Sequence, residues 1–251
     1  MTQFFALGRR AIREALRTPE QLFPTVFIPL FFLVVNVGQA GKIFPSGTTS
    51  FLGGQNYGAF QVPSAMLLAA SFGGAALFLV EDIEGGYFDK LRASPVSRVA
   101  LVLHRLVADA TKSALIAALI VLLALPFGIR VASGPIGFVL LMLLAASWAV
   151  VYSGFVQLLA LKTRSAAATQ SGSLVFFPLL FLTPNFVPRH LLTRPMEIAA
   201  TFNPVTYIME ALRSLILESS NWARVGRGFL VLAVAGLVML VLNVRVMRAY
   251  D

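Results

Sequence analysis

The sequence has no cysteine and few charged residues, and each shortage excludes a class of protein. None of the 251 residues is cysteine, which excludes a disulfide framework, a thiolate nucleophile and a cysteine metal site. Charged residues make up 12% of the chain, whereas they make up roughly a quarter of a soluble domain. Hydrophobic residues reach 58%. This balance excludes an ordinary soluble domain and indicates a membrane protein.

The chain also lacks the motifs that would bind ATP or a metal ion. Its nearest approach to a phosphate-binding loop, residues 38–43 (GQAGKI), has the wrong spacing and no Ser or Thr after the lysine. No group of His, Asp and Glu has the spacing of metal ligands. The sequence therefore predicts no cofactor in this chain.

Six long apolar segments recur along the sequence and predict an all-α protein with six transmembrane helices. Apart from the fifth, which is shorter, each segment approaches the ~20 residues that a helix needs to cross a bilayer. The connections between them are too short to form a soluble domain, so residues 1–251 are predicted to form a single membrane domain. The predicted spans are about 22–40, 60–80, 107–127, 136–161, 169–182 and 228–244.

Basic residues are distributed unevenly between the connecting segments. The N-terminal segment places arginines between apolar residues, which predicts a helix lying on the membrane surface. Lys and Arg also concentrate at residues 81–105, at 162–164 and at the C-terminus, whereas the short loops opposite contribute only Lys42 and Arg130. By the positive-inside rule, both termini are predicted to be cytoplasmic. The net charge of +9 follows from this bias and does not indicate nucleic-acid binding.

A charged segment at residues 81–95 carries an apolar face. At helical spacing Ile83, Tyr87, Phe88 and Leu91 share one side, with acids and bases on the rest. The loops are too short to form a soluble domain that would cover this face. The pattern predicts either a docking surface for a partner or an interfacial helix among lipid headgroups, and it favours neither.

A second amphipathic segment lies between the fifth and sixth predicted spans. Asn203 is a candidate N-cap and Pro204 a candidate first helical residue. The pattern predicts a helix half-sunk at the outer membrane surface, with Glu210, Arg213 and Ser214 toward solvent. Glu210 and Arg213 are three residues apart, which predicts an exposed ion pair. The apolar stripe consists of Val205, Ile208, Met209, Leu212, Leu215 and Ile216.

Small and mildly polar residues in the second and fifth spans are candidates for a transport path between two copies of the chain. A mostly apolar wall with a few polar groups suits bulky amphipathic cargo. Glycines in the second span predict close helix packing equally well. The path candidates are Ser71, Gly74, Gln170, Ser173, Phe176 and Phe177.

Few titratable residues lie in or near the apolar segments. Asp109 and Lys112 are three residues apart and are predicted to pair, with a functional relay as the alternative. His104 and Asp109 have the His-x4-Asp spacing of membrane acyltransferases, in which the Asp orients a His base. This spacing leaves a membrane-embedded enzyme as one alternative function, and a non-transporting scaffold is another.

Two of these segments resemble the ABC-2 type transporter permeases. Residues 81–91, followed by the ASPVSR sequence of residues 93–98, look like the cytoplasmic loop of that family. Residues 183–188 (TPNFVP), residues 202–207 (FNPVTY) and residues 211–213 (ALR) are similar to its daunorubicin-resistance, DrrB-like branch. The resemblance covers the whole chain and includes six spans with both termini inside.

The resemblance implies a permease subunit of an ATP-driven exporter in a bacterial cytoplasmic membrane. Such exporters move amphipathic drugs, lipids or glycolipids outward, so the chain itself would be no enzyme. Residues 81–95 would be the coupling helix that docks on a separate ATPase subunit, which binds ATP and Mg²⁺. A second permease, identical or related, would complete the working unit. The implied docking residues are Glu81, Ile83, Glu84, Tyr87, Phe88 and Leu91. Those of the extracellular or re-entrant helix are Asn203, Pro204, Tyr207, Leu212 and Arg213.

Overall fold

A computed structural model describes residues 19–47, 49–72, 79–80, 85, 98–219 and 221–248, and the elements among them are helical. The prediction of an all-α protein is confirmed. The α-helices are α1 (Pro19–Ala40), α2 (Tyr57–Ser71), α3 (Arg98–Ala124), α4 (Gly134–Thr163), α5 (Ala166–Ser173), α6 (Phe176–Phe181), α7 (Arg194–Phe202), α8 (Pro204–Leu217) and α9 (Trp222–Arg248). Short 3₁₀ turns lie at Ser50–Leu52, Leu125–Phe127 and Arg189–Leu191.

Two predicted surface helices lie outside the described residues. One is the basic N-terminal helix before Pro19, and the other is the charged segment 81–95, apart from Gly85. The docking residues Glu81, Ile83, Glu84, Tyr87, Phe88 and Leu91 are therefore predictions from the sequence alone.

Four helices in the described part of the chain are long and apolar enough to cross a membrane: Phe23–Ala40, Arg105–Phe127, Gly134–Thr163 and Trp222–Met247. At two of them the helix is longer than the predicted span. The third helix begins at Arg98 and the last at Trp222, because each helix continues past its apolar stretch into more polar sequence. Within the second predicted span, the structure describes residues 60–72 and 79–80.

Helix α2 lies at the centre of the bundle, and all of its residues are buried. It packs against α1, α3, α4 and α8, while α9 packs against α4 and α8. The sequence of α2 explains this position, because it contains no charged side chain and many small ones, which allow close helix approach in an apolar surrounding. Asn56 caps the helix by accepting a hydrogen bond from the amide of Ala59 at 3.2 Å.

Three connecting segments meet at one end of the bundle, which we call the loop end. They are residues 41–56, 125–133 and 182–221. Gln55 joins two of them, since its amide donates to the carbonyl oxygens of Ile216 at 2.6 Å and Arg130 at 3.0 Å. The amide of Ala132 also donates to Ile216, at 3.1 Å, and that of Ser133 donates to Leu215, at 3.2 Å. The last carbonyls of α8 therefore obtain partners that the helix itself cannot supply.

Gly53 makes a close approach to the backbone of another segment at the loop end. Its φ of +57° is in the left-handed region, and a Cβ added there would lie 2.2 Å from the carbonyl oxygen of Leu217. Both the conformation and the contact require glycine. The loop between α1 and α2 can therefore lie directly against the end of α8.

Candidate functional site

Helix α8 begins where the sequence predicts, but it lies deeper than predicted. The side chain of Asn203 accepts a hydrogen bond from the amide of Val205 at 2.9 Å and donates to the carbonyl oxygen of Leu179 at 2.6 Å. The apolar stripe is buried, including Leu212. Tyr207 is half-buried, and its hydroxyl donates to the carbonyl oxygen of Thr201. The helix is packed into the bundle rather than half-sunk at its surface.

The prediction that Arg213 and Ser214 face solvent is wrong, since they are only 7% and 1% exposed. The predicted pair of Glu210 with Arg213 is also wrong. Glu210 lies 3.3 Å from Arg189 instead. The reason is that the side of α8 bearing Arg213 packs against residues 183–186, whose carbonyl oxygens need donors.

Arg213 supplies those donors. Its Nε donates to the carbonyl oxygen of Phe60 at 3.2 Å, its Nη2 donates to that of Asn185 at 2.8 Å, and its Nη1 donates to that of Pro184. The guanidinium also lies 3.5 Å above the centre of the Phe60 ring, a favourable cation–π position. Burial lowers the pKa of Arg213 to about 9, so the group remains a cation at neutral pH. One side chain thus holds α8 against α2 and against the segment after α6.

Further polar side chains extend this contact across the bundle. Gln61 donates to the hydroxyl of Tyr57 at 2.7 Å and to the carbonyl oxygen of Asn185 at 3.1 Å. Ser64 donates to the side chain of Asn185 at 2.6 Å, and Asn36 of α1 donates to Gln61 at 3.3 Å. Tyr57, Gln61 and Ser64 are three or four residues apart on one face of an apolar helix. That spacing is the signal in the sequence that would have identified them.

The fifth predicted span is two helices, because the backbone breaks between α5 and α6. Pro178 has no amide hydrogen and cannot donate to the carbonyl of Leu174. Tyr152 of α4 lies at the break. Its hydroxyl donates to the carbonyl oxygen of Ser173 and accepts from the amide of Phe176 at 3.1 Å. One hydroxyl therefore satisfies two backbone groups that an apolar surrounding would otherwise leave unpaired.

The structure separates the path candidates into exposed and buried residues. Gln170 on α5 is exposed, and Ser173 and Phe177 are partly exposed. Ser71 and Phe176 are 8% and 2% exposed, and Gly74 lies outside the described residues. Ser71 accepts a hydrogen bond from Trp148 at 2.8 Å, and Phe176 packs against Trp148 and Tyr152. Among the candidates that the structure describes, Gln170, Ser173 and Phe177 border an open surface, whereas Ser71 and Phe176 do not.

Asp109 and Lys112 are buried on α3, at 3% and 4% exposure, and their charges interact. His104 belongs to the same helix, but its side chain lies outside the described part of the structure. Among the described residues, no three His, Asp or Glu side chains are grouped so that they could hold a metal ion.

Comparison with known proteins identifies the family. The sequence model of the ABC-2 type transporter family matches residues 2–217. The daunorubicin resistance ABC transporter permease protein DrrB1 of Streptomyces coeruleorubidus is 27% identical over 243 residues, which are 96% of this chain and 83% of that protein. Together with the apolar helices, these matches show that the chain belongs to the ABC-2 type transporter family and is a multi-pass membrane permease of an ABC exporter.

Proposed function

We propose that the chain moves an amphipathic drug, lipid or glycolipid outward across a bacterial cytoplasmic membrane. ATP is hydrolysed by a separate subunit that docks on residues 81–95. The observation that carries this proposal is the family match over residues 2–217. The name of the Streptomyces protein, a daunorubicin resistance permease, supports amphipathic cargo.

The charge distribution supports an orientation with both termini and residues 81–95 in the cytoplasm. The arginines at the loop end are the exceptions to the positive-inside rule, and the structure accounts for several of them. Arg213 is buried on carbonyl groups. Three others pair with glutamates, and all of them lie in or beside the longest connection, where the Lys and Arg bias counts less. The pairs are Arg189–Glu210, Arg194–Glu197 and Arg224–Glu218.

A Tyr87→Ala/Phe88→Ala variant should lose its ATPase subunit. Buried aromatic side chains dominate many interfaces and contribute about 2 kcal/mol or more each, so we expect recovery of the co-expressed ATPase to fall at least about tenfold. The measurement is co-purification from detergent-solubilised membranes. A matched control, Phe127→Ala/Phe202→Ala, removes two exposed aromatic rings at the loop end and should keep the ATPase. Undiminished recovery of the ATPase with this variant would refute docking on Tyr87 and Phe88.

The exposed face of α5 and α6 supports a path between two permeases. Gln170 and Ser171 are exposed there, whereas the long helices expose mainly aliphatic and aromatic side chains. Polar residues of a membrane helix usually face another protein chain or a water-filled cavity rather than lipid. We therefore place the path along Gln170, Ser173 and Phe177, opposite the same residues of a second permease.

Placing a tryptophan at Ser173 or Gln170 should block this path. We expect ATP-dependent efflux to fall at least about tenfold, because an indole ring would fill the small-residue face, while assembly and basal ATP hydrolysis remain measurable. The control is Val234→Trp, at a 58% exposed position of α9. Normal efflux from both path variants would remove α5 and α6 from the path.

A further inference from the structure

A long groove runs along the surface between α1 and α3 and opens at the loop end. Both helices pack against α2, but over their described residues they make no extensive contact with each other. The start of α2, including Tyr57 and Gly58, contributes to its wall, and its volume is about 960 Å³. This volume is at the upper end of the usual range for ligand pockets. The groove shares no residue with α5 or α6, so it is separate from the proposed path.

The walls of the groove are almost entirely apolar. Leu30 and Val34 of α1 face Leu123 and Phe127 across it, and Val34 and Phe127 are 69% and 76% exposed. The α1 side extends from Leu30 to Gly41, about 16 Å along a helix axis, which is roughly the depth of one leaflet of a bilayer. An alkyl chain lying there would contact both helices.

The mouth of the groove is polar and positively charged. Lys42, Ser46 and Asn56 line it, and Lys42 is exposed. The sequence has no acid between Glu20 and Glu81, or between Asp109 and Glu197. Among the described residues of the loop end, every acid is already paired with an arginine, and none is paired with Lys42. The paired acids are Glu197, Glu210 and Glu218.

We propose that this groove binds a bilayer phospholipid with an anionic headgroup. One acyl chain lies between α1 and α3, and the acidic headgroup lies beside Lys42. Charge complementarity favours one class of lipid, since a lysine at the membrane surface attracts an anionic headgroup more strongly than a zwitterionic one. The proposal requires only that the chain is a membrane protein, and it does not depend on the cargo, the path or the docking helix.

Gly38 allows the groove to be filled without disturbing the fold. It lines the groove, and a Cβ added to it would meet no atom within 4 Å. A Gly38→Trp variant therefore places its ring in the groove without backbone strain, and a larger residue is also a better helix former than glycine. Gly226 of α9 is a matched control, because a Cβ added there also meets no atom within 4 Å.

The experiment is native mass spectrometry of the purified permease titrated with phosphatidylglycerol or phosphatidylcholine. We expect Gly38→Trp to bind one tightly held phosphatidylglycerol fewer per chain than the wild type, with no such loss in Gly226→Trp. Lys42→Gln should weaken the binding of phosphatidylglycerol at this site about fivefold and leave the binding of phosphatidylcholine unchanged. The matching charge control is Lys162→Gln, at an exposed lysine on α4.

Three outcomes would overturn the proposal. Equal phosphatidylglycerol binding by the wild type and Gly38→Trp would mean that lipid in the groove is no different from bulk lipid. An equal loss of bound phosphatidylglycerol in Gly38→Trp and Gly226→Trp would indicate a general effect of tryptophan. Unchanged lipid binding with dissociation of the permease dimer in Gly38→Trp would assign the groove to a second copy of the chain.

Discussion

Arg213→Leu should be the most damaging single substitution at the loop end, lowering the free energy of unfolding by about 4 kcal/mol. It removes a hydrogen-bond donor from the buried carbonyl groups of Phe60, Pro184 and Asn185. Of these, the carbonyl of Asn185 keeps the hydrogen bond from Gln61. It also removes the cation above the Phe60 ring. Thermal unfolding of the purified protein in detergent, monitored by circular dichroism, measures the loss. Arg213→Lys should recover only part of it, because an ammonium cannot reach three carbonyls in the arrangement of a planar guanidinium.

The control for charge removal is Arg194→Leu. Arg194 pairs with Glu197 at 3.4 Å, but its side chain is 82% exposed, so the midpoint of unfolding should stay near that of the wild type. If Arg213→Leu unfolded at the same temperature as Arg194→Leu, the carbonyl contacts would contribute little to stability.

Tyr152→Phe should have the second largest effect. It removes one oxygen atom but leaves both the carbonyl of Ser173 and the amide of Phe176 without a partner. From the usual penalty for burying such groups, we expect a loss of about 2–4 kcal/mol. The ring stacking with Trp148 is retained, so the change reports on the hydroxyl. Thermal unfolding and limited proteolysis between α5 and α6 would both detect it.

Tyr207→Phe is the matched control for this substitution. In the wild type, the hydroxyl of Tyr207 donates to the carbonyl oxygen of Thr201 at 2.8 Å, in an exposed position where a water molecule can replace the hydroxyl as donor. We expect the midpoint of thermal unfolding to be close to that of the wild type. Equal stability of the two phenylalanine variants would show that the break between α5 and α6 does not need Tyr152.

Local patterns in the sequence predict the helices well, and they fail where the structure depends on distant residues. Asn203 and Pro204 mark the start of α8, because caps act within one turn of a helix. The hydrophobic stripe of α8 is likewise a local property. The apolar segments give the long helices for the same reason, although their ends extend beyond the apolar sequence.

The burial of Arg213 could not be predicted in this way. An arginine on the polar side of an amphipathic pattern is usually solvated, and its partners here lie 28, 29 and 153 residues away. The break in the fifth span depends on both a local signal and a distant residue. Pro178 is a local signal for it, but the hydroxyl that stabilises it belongs to Tyr152, on another helix. The docking residues around Tyr87 remain a prediction from the pattern and the family.

The hydrogen bonds around the last turn of α8 also limit how relatives of this chain can diverge. Gln55, Ala132 and Ser133 belong to two different loops, yet their partners are the neighbouring carbonyls of Leu215 and Ile216. Gly53 lies against the next carbonyl, that of Leu217. An insertion beside any of these positions would displace the other loop as well. The lengths of the two loops are therefore coupled, and we expect epitope tags to be better tolerated elsewhere in the chain.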